Sequence, residues 1–191
     1  MNLLEQRIIT EGRVLGNDIL KVDSFLNQQI DTGFLFEICK EFKERYHGCE
    51  VTKILTVEAS GIAVALATSH VFNDCPVVFA KKGKAANMSG EAYTAKLHSY
   101  TRNDDFTVSV TKAYLSKEDK VLILDDFLAN GQALQAMISL VQQAGCQLVG
   151  CGVIIEKAYQ NGGEEVRRTG VRVESLARIR RMSAEEGVEF C

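Results

Sequence analysis

The stretch VLILDDFLANGQA, residues Val121–Ala133, decides the fold because it joins an apolar strand to two acids and the start of a helix. Residues Val121–Leu124 are apolar throughout rather than in alternation, which is typical of a strand covered on both faces. Asp125 and Asp126 follow directly, and small and polar residues then lead into a helical pattern. A covered strand with a polar end indicates an α/β protein whose site lies beyond its strand ends.

Apolar strands alternate with helical patterns along much of the chain. The helix predicted at Gly131–Ala144 has Leu134, Ile138 and Val141 at helical spacing and Gly145 as a C-cap. Further strands are predicted at Val51–Val57, Pro76–Ala80 and Leu148–Ile155, and a further helix at Gly61–Phe72. Because this alternation implies right-handed parallel crossovers, we expect a central parallel sheet flanked by helices. The segment Gly83–Val110 breaks the alternation and predicts a hairpin or flap appended to the core.

Length and composition indicate one folding unit. The chain has 191 residues, of which 46% are hydrophobic, and only one proline. This is enough for one well-filled core, and no Pro-rich or Gly/Ser-rich linker divides the sequence. We therefore predict a single domain over residues 1–191.

Charge and residue usage exclude several classes of partner. No apolar run approaches the roughly 20 residues that cross a bilayer, and the N-terminus lacks a secretory pattern, so we expect a cytoplasmic protein without membrane contact. The net charge of −3 disfavours binding to nucleic acid. Six scattered cysteines and three histidines show no metal-ligand spacing, so we expect reduced thiols and no metal held by the protein alone. We therefore expect the partner to be a small molecule.

The turn after the two acids is suited to binding a phosphate. It comprises Ala129, Asn130, Gly131, Gln132 and Ala133. Backbone N–H groups at a helix start have no internal partner and carry about half a positive charge, which favours an anion. The neighbouring acids would repel a phosphate unless they face hydroxyl groups or a cation, so the pattern suits a sugar phosphate. An acidic strand end capped by an ordinary turn fits the same residues.

A second turn, at Glu58, Ala59, Ser60 and Gly61, follows the first predicted strand. Small residues there would let the backbone approach an anion closely. The same residues suit an ordinary β-to-α turn with Ser60 as the N-cap, so the residues alone leave both interpretations open.

The opening stretch resembles the phosphoribosyl-diphosphate-binding motif of type I phosphoribosyltransferases, in which a hydrophobic strand precedes two acids and a small-residue phosphate loop. Four further stretches are similar to members of this family that act on xanthine: LKVDSFLNQQID (20–31), VFAKK (78–82), VIIEKAYQ (153–160) and RVESLARI (172–179). They lie in similar order and at similar separations over nearly the whole chain. The resemblance is least after Ile179.

The resemblance implies transfer of the 5-phosphoribosyl group from phosphoribosyl diphosphate to xanthine, which gives xanthosine 5′-monophosphate and pyrophosphate. Asp125 and Asp126 are then the catalytic residues, which hold the ribose hydroxyls and favour the developing positive charge. The turn at residues 129–133 would hold the 5-phosphate, and the turn at residues 58–61 the diphosphate, with Lys81 adding positive charge. Mg²⁺ would be held mainly by the diphosphate, without a named protein ligand.

The resemblance also assigns the base site and the accessory parts of the fold. Leu20 would contact the purine ring, Asn27 would offer an amide, and Lys157 would donate to a base that carries two carbonyl oxygens and ionises near neutral pH. A flexible lid is expected at Gly83–Tyr100, and a small hood is expected from the N-terminal and C-terminal segments. Family members are commonly homodimers, which we expect here.

Two alternative functions remain open from the sequence. One is a hypoxanthine/guanine phosphoribosyltransferase, which differs only in its base contacts. The other is a regulator of the same fold that binds purines or phosphoribosyl diphosphate without chemistry. A regulator normally needs a DNA-binding module, and the segment before Leu20 is predicted to be one short helix, too small for a winged helix. The tail RRMSAEEGVEFC is predicted to form an edge strand or a frayed end.

Overall fold

The computed structural model describes residues 1–83, 91–99 and 104–191. Its helices are α1 (Leu3–Glu11), α2 (Thr32–Arg45), α3 (Gly61–Val71), α4 (Gln132–Ala144) and α5 (Gly162–Arg168). Its strands are β1 (Arg13–Leu15), β2 (Ile19–Lys21), β3 (Lys53–Val57), β4 (Val77–Lys82), β5 (Ala92–Ser99), β6 (Asp104–Thr111), β7 (Lys120–Leu128), β8 (Gln147–Lys157), β9 (Val173–Ser183) and β10 (Gly187–Phe190). A short π-helix spans Asp23–Asn27, and a 3₁₀ turn spans Lys112–Tyr114.

A mixed sheet of eight strands forms the centre of the molecule, in the order β10-β9-β8-β7-β3-β4-β6-β5. The strands from β9 to β4 run parallel, which confirms the predicted parallel sheet. Antiparallel strands lie at both edges, β10 at one and the β5–β6 hairpin at the other. The hairpin predicted after Gly83 is thus confirmed, whereas residues 84–90 and Tyr100 of the predicted lid lie outside the described residues.

Strand β7 is buried on both faces, as its apolar run predicts. Val121 and Ile123 join a core that includes Leu134 of α4, whereas Leu122 and Leu124 join a second core with α2, α3 and the N-terminal segment. The strand extends past its predicted end at Leu124, because its pairing with β8 continues to Leu128 opposite Glu156. Both acids of the opening stretch therefore lie within the strand.

The glycines at the two ends of α4 have left-handed backbones. Gly131 precedes the helix with φ 79°, so α4 begins at Gln132, one residue later than predicted. Gly145 follows the helix with φ 71°, which confirms the predicted C-cap. Only glycine adopts such angles at low cost, so both ends of the helix are fixed by sequence.

The two chain termini pack together as a small hood, which the resemblance implied. The hairpin of β1 and β2 contacts β9 and β10, and the Ala184 N–H donates to the Gly16 carbonyl at 3.0 Å. Helix α1 buries Leu4 and Ile8 against the core. The expectation of one short helix before Leu20 was incomplete, because β1 and the start of β2 also lie there. The tail forms the edge strand β10, one of its two predicted forms.

No helix within the described ranges is long and apolar enough to cross a bilayer.

Gly152 provides a test of how closely helix α2 packs on the sheet. A Cβ at Gly152 would lie 2.7 Å from Leu124 Cδ2 and 2.7 Å from Phe42 Cε1, so Gly152→Ala overpacks the core. We expect the free energy of unfolding to fall by about 1–3 kcal/mol in urea denaturation. Gly33→Ala is the control, because its Cβ meets nothing nearer than Asp31 Oδ1 at 3.8 Å. Equal stability of Gly152→Ala and the wild type would contradict this packing.

Candidate active site

The carboxyl ends of β3, β4, β7 and β8 meet at one edge of the sheet. Leu55 pairs with Ile123, Val57 pairs with Ala80, and Asp125 pairs with Val153. This parallel register brings the turn after β3 beside the acids of β7. A Cβ built on Gly61 would lie 3.2 Å from Asp125 Oδ1 and 2.1 Å from Thr56 Oγ1, so the approach requires glycine.

The turn after β7 offers backbone donors at the start of α4. Asn130 Oδ1 accepts a hydrogen bond from the Gln132 N–H at 3.3 Å, and Gly131 closes the turn in its left-handed conformation. Ala129, Gln132 and Ala133 are partly exposed, and Asn130 is exposed. The backbone N–H groups of Ala133 and Leu134 belong to the first turn of the helix and have no carbonyl acceptor one turn earlier. They are therefore suited to an anion.

Helix α5 supports this turn by direct contact between backbones. A Cβ on Gly162 would lie 2.3 Å from the carbonyl carbon of Asn130, 2.3 Å from the Gly131 nitrogen and 2.4 Å from the Ala129 oxygen. A Cβ on Gly131 would in turn lie 2.9 Å from the Gly162 oxygen. Neither glycine accepts a side chain without moving the turn.

The two acids are nearly buried. Asp125 is 5% exposed and Asp126 is 8% exposed, and Asp125 Oδ1 accepts a hydrogen bond from the Asp126 N–H at 3.0 Å. Burial raises the pKa of the Asp125 carboxyl well above its ordinary value, and the negative charge of Asp126 raises that pKa further.

Glu58 anchors the turn after β3 to the end of β4. Its N–H donates to the Ala80 carbonyl at 3.1 Å, and its Oε1 accepts from the Lys82 N–H at 2.6 Å. Ser60 stands at the N-cap position of α3 without a side-chain capping bond, so the ordinary capped turn is not what forms. Ala59, Ser60 and the side chains of Lys81 and Lys82 are exposed at this edge.

Two of the three predicted base contacts are brought together. Leu20 is 7% exposed in β2, and Lys157 stands at the end of β8 with a side chain 14% exposed. Lys157 Nζ donates to the carbonyl of Asp18 at 2.5 Å, two residues before Leu20. Asn27 lies on the exposed end of the π-helix, and its side chain forms no hydrogen bond within the described part of the chain.

Asp18 and the residues after Lys157 form a cluster that sequence reasoning missed. Asp18 Oδ1 accepts from Tyr159 Oη at 2.7 Å and from Gln160 Nε2 at 2.9 Å. The hydrogen bond from Tyr159 lowers the pKa of Asp18 more than burial raises it, and the charge of Lys157 lowers it further. Tyr159 and Gln160 lie in a stretch that carries the resemblance, but no local pattern links them to Asp18.

Glu156 is a buried acid on β8 that binds side chains of α5 and β9. Arg167 of α5 donates to both of its carboxylate oxygens at 2.7 Å, and Ser175 and Arg178 donate at 2.5 and 3.1 Å. Burial raises the pKa of Glu156, but the hydrogen bonds from Arg167 and Ser175 outweigh it and the net pKa is lowered. The ion pair holds α5, which supports the phosphate-suited turn, against the end of β8.

Several phosphoribosyltransferases are similar to this chain in sequence or in fold. Xanthine phosphoribosyltransferase 2 of Clostridium botulinum is 52% identical over 177 residues, covering 93% of each chain. Xanthine phosphoribosyltransferase of Brevibacillus brevis is 47% identical over 190 residues, covering 100% of this chain and 96% of that protein. The crystal structure of APRTase from Giardia lamblia, complexed with 9-deazaadenine, matches with a TM-score of 0.77 at 21% identity and covers 93% of this chain and 98% of that one.

The match to the Giardia structure shows that the fold is that of the type I phosphoribosyltransferases. A family model described as a phosphoribosyl transferase domain matches residues 31–178. This range includes the turns after β3 and β7 and both acids. Because the family model and the curated relatives each cover most of the sequence, the chain belongs to the phosphoribosyltransferase family.

Proposed function

We propose that this protein is a purine salvage enzyme that transfers the 5-phosphoribosyl group from phosphoribosyl diphosphate to xanthine. The products are xanthosine 5′-monophosphate and pyrophosphate. The observation that carries the reaction is the convergence of three features at one edge of the sheet: the turn at residues 129–133, the buried Asp125 and Asp126, and the turn at residues 58–61. The choice of xanthine is supported by the names of relatives that cover nearly the whole chain.

The reaction breaks the bond between the ribose C1 and the diphosphate oxygen and forms a bond from C1 to a purine nitrogen. Positive charge develops on the sugar as the diphosphate leaves. Asp125 and Asp126 hold the ribose hydroxyls and stabilise that charge by electrostatics. The raised pKa of Asp125 fits a carboxyl whose partners are the hydroxyls and cation of a bound substrate. Catalysis rests mainly on position and charge.

The two anionic groups of phosphoribosyl diphosphate bind on either side of the acids. N–H groups of residues 129–133 and the positive end of α4 hold the 5-phosphate. The turn Glu58–Gly61 receives the diphosphate, where Gly61 allows the backbone to approach and Lys81 contributes positive charge. Glu58 itself acts by anchoring this turn, because its carboxylate is engaged by the Lys82 N–H.

Mg²⁺ fits this site as a companion of the substrate. No group of three or more metal-ligand side chains occurs within the described ranges. Two adjacent carboxylates nonetheless offer the oxygen donors that a hard cation prefers, and such an ion keeps most of its remaining ligands from water and phosphate. When bound, Mg²⁺ would neutralise part of the diphosphate charge, and Asp125 and Asp126 could supply oxygen ligands.

The base lies between the hood and the end of β8. Leu20 offers an apolar surface, and Lys157 offers donors and a positive charge to the carbonyl oxygens of xanthine, with Asn27 as an amide partner. A site built from donors disfavours the amino group of guanine or adenine, because polar groups would remain unpaired. All of these residues lie in one catalytic domain, residues 1–191, which we place in the cytoplasm.

We further propose that the enzyme is a homodimer. A groove with a volume of about 500 Å³ runs along β4 and β6. Its lining includes Val77, Phe79 and Tyr114. Phe79 is 39% exposed and Tyr114 is 61% exposed, which suits burial against a second copy.

The base assignment is tested by pyrophosphate release with Mg²⁺ and phosphoribosyl diphosphate, with xanthine, hypoxanthine, guanine and adenine offered separately. We expect the highest kcat/KM on xanthine, and we expect Lys157→Ala to lower it by about 10- to 100-fold because a charged donor to the base is lost. Lys117→Ala, at a side chain 82% exposed, is the control. Preference for another base would refute the assignment, and tight phosphoribosyl diphosphate binding without turnover on any base would favour the regulator.

The 5-phosphate assignment is tested by Gly162→Ala. The new Cβ would collide with the backbone of Asn130 and Gly131, so it displaces the turn that holds the phosphate. We expect kcat/KM for phosphoribosyl diphosphate to fall by about 100-fold, the cost typical of a misplacement of about 1 Å. Gly33→Ala should leave this value unchanged. Wild-type kinetics in Gly162→Ala would place the phosphate elsewhere.

The homodimer is tested by light scattering coupled to size-exclusion chromatography. We expect twice the mass of one chain for the wild type and the mass of one chain for Phe79→Glu, because a charge would be buried in the interface. Ile9→Glu, at another exposed apolar residue on α1, is the control and should remain a dimer. A wild type with the mass of a single chain would overturn the proposal.

A further inference from the structure

The turn that joins β1 to β2 reaches the end of β8 through one residue, Asp18. Its backbone carbonyl accepts from Lys157 Nζ at 2.5 Å. Its carboxylate oxygen Oδ1 accepts from Tyr159 and Gln160 at 2.7 and 2.9 Å and lies 3.8 Å from Lys157 Nζ. Three side chains of the 157–160 segment, those of Lys157, Tyr159 and Gln160, thus donate to a residue more than 130 positions away in the sequence.

These contacts determine where the Lys157 ammonium lies. Its side chain is only 14% exposed, and one of its three N–H donors is engaged by the Asp18 carbonyl. No other hydrogen bond of Lys157 Nζ occurs within the described residues, which leaves two N–H donors for a ligand. Leu20 of β2 lies two residues after Asp18. The same contacts therefore fix the distance between the two sides of the base site, the apolar side at Leu20 and the charged side at Lys157.

The charge state of the cluster supports a stable arrangement. The hydrogen bond from Tyr159 lowers the pKa of Asp18, so the group remains a carboxylate at neutral pH. Burial and the bond to Asp18 raise the pKa of Tyr159, so its hydroxyl remains a donor. The Asp18 side chain is 64% exposed, so the cluster borders solvent at the rim of the site.

We propose that Asp18 is a positioning residue for the purine site, which holds the β1–β2 hairpin on the 157–160 segment and thereby places Lys157 and Leu20 on the base. This inference rests on the proposed function, because it takes the base to lie beside Lys157. Asp18 acts through Lys157, Tyr159 and Gln160 rather than by contact with the reacting atoms.

The hood has other attachments that do not depend on Asp18. The Ala184 N–H donates to Gly16, and Asn2 Nδ2 donates to the Leu176 carbonyl at 2.8 Å. Leu4 and Ile8 are fully packed into the core. Loss of the Asp18 carboxylate therefore loosens the tip of the hairpin and leaves the hood folded, so a kinetic effect can be separated from an effect on stability.

The first test is steady-state kinetics of Asp18→Ala. We expect KM for xanthine to rise about 5- to 20-fold, because losing the hydrogen bonds from Tyr159 and Gln160 loosens the turn whose Asp18 carbonyl holds Lys157. KM for phosphoribosyl diphosphate should stay within about twofold. The preference for xanthine over hypoxanthine should fall together with the rise in KM. Asp18→Asn should lie between the wild type and Asp18→Ala, because its amide oxygen can still accept from Tyr159.

The control is Asp74→Asn, at an exposed acid beside His70 near the opposite edge of the sheet, and it should match the wild type. A double-mutant cycle with Tyr159→Phe adds a second readout, since the two changes should be non-additive if they remove the same contact. Unchanged KM for xanthine in Asp18→Ala, or equal rises in the KM values of both substrates, would overturn the proposal.

Hydrogen exchange of residues 13–21 separates this proposal from the proposed function. If the wild type turns over xanthine and Asp18→Ala shows faster exchange with a raised KM, both stand. If the wild type turns over another base, a raised KM for that base with faster exchange still supports Asp18 as the positioning residue, while the choice of xanthine fails. Exchange that is the same in Asp18→Ala and the wild type overturns the role of Asp18, whichever base is used.

Discussion

The parallel register of β7 between β3 and β8 is the constraint on which the site depends. Because β7 remains paired through Asp125 and on to Leu128, two acids are held within a strand instead of at a mobile turn. The same pairing fixes how the ends of β3 and β7 are aligned along the strand direction. It thereby places Gly61, in the turn after β3, beside Asp125. A ligand with a ribose between two anionic groups matches this order of acids and backbone donors.

The buried acids at this edge of the sheet differ in how far nearby cations and hydrogen-bond donors compensate their charge. Glu156 is surrounded by donors from Arg167, Ser175 and Arg178, so its charge is compensated within the protein. Burial of such a pair costs desolvation, and its value lies in fixed geometry between β8 and α5. Asp125 lacks a comparable set of cations, and its pKa is raised by burial and by Asp126. In the proposed reaction, the partner of this acid arrives with the substrate.

Features that depend on neighbouring residues in the sequence could be predicted, and features that depend on distant contacts could not. The apolar run of β7, the periodicity of α4 and the C-cap at Gly145 are local signals, and each was confirmed, whereas the start of α4 was predicted one residue early. The extension of β7 through both acids was missed because it comes from pairing with β8. Leu20 resembles a core residue and Lys157 a surface charge, so only the family resemblance singled them out. Asp18 could not be found locally, since its partners lie at the other end of the chain.

The most direct test of the account is a crystal structure of the enzyme with xanthosine 5′-monophosphate. We predict that the phosphate accepts hydrogen bonds from backbone N–H groups of residues 129–133, that the ribose hydroxyls face Asp125 and Asp126, and that the purine lies between Leu20 and Lys157. A phosphate bound away from the start of α4, or a purine outside the space between the hood and β8, would contradict the account.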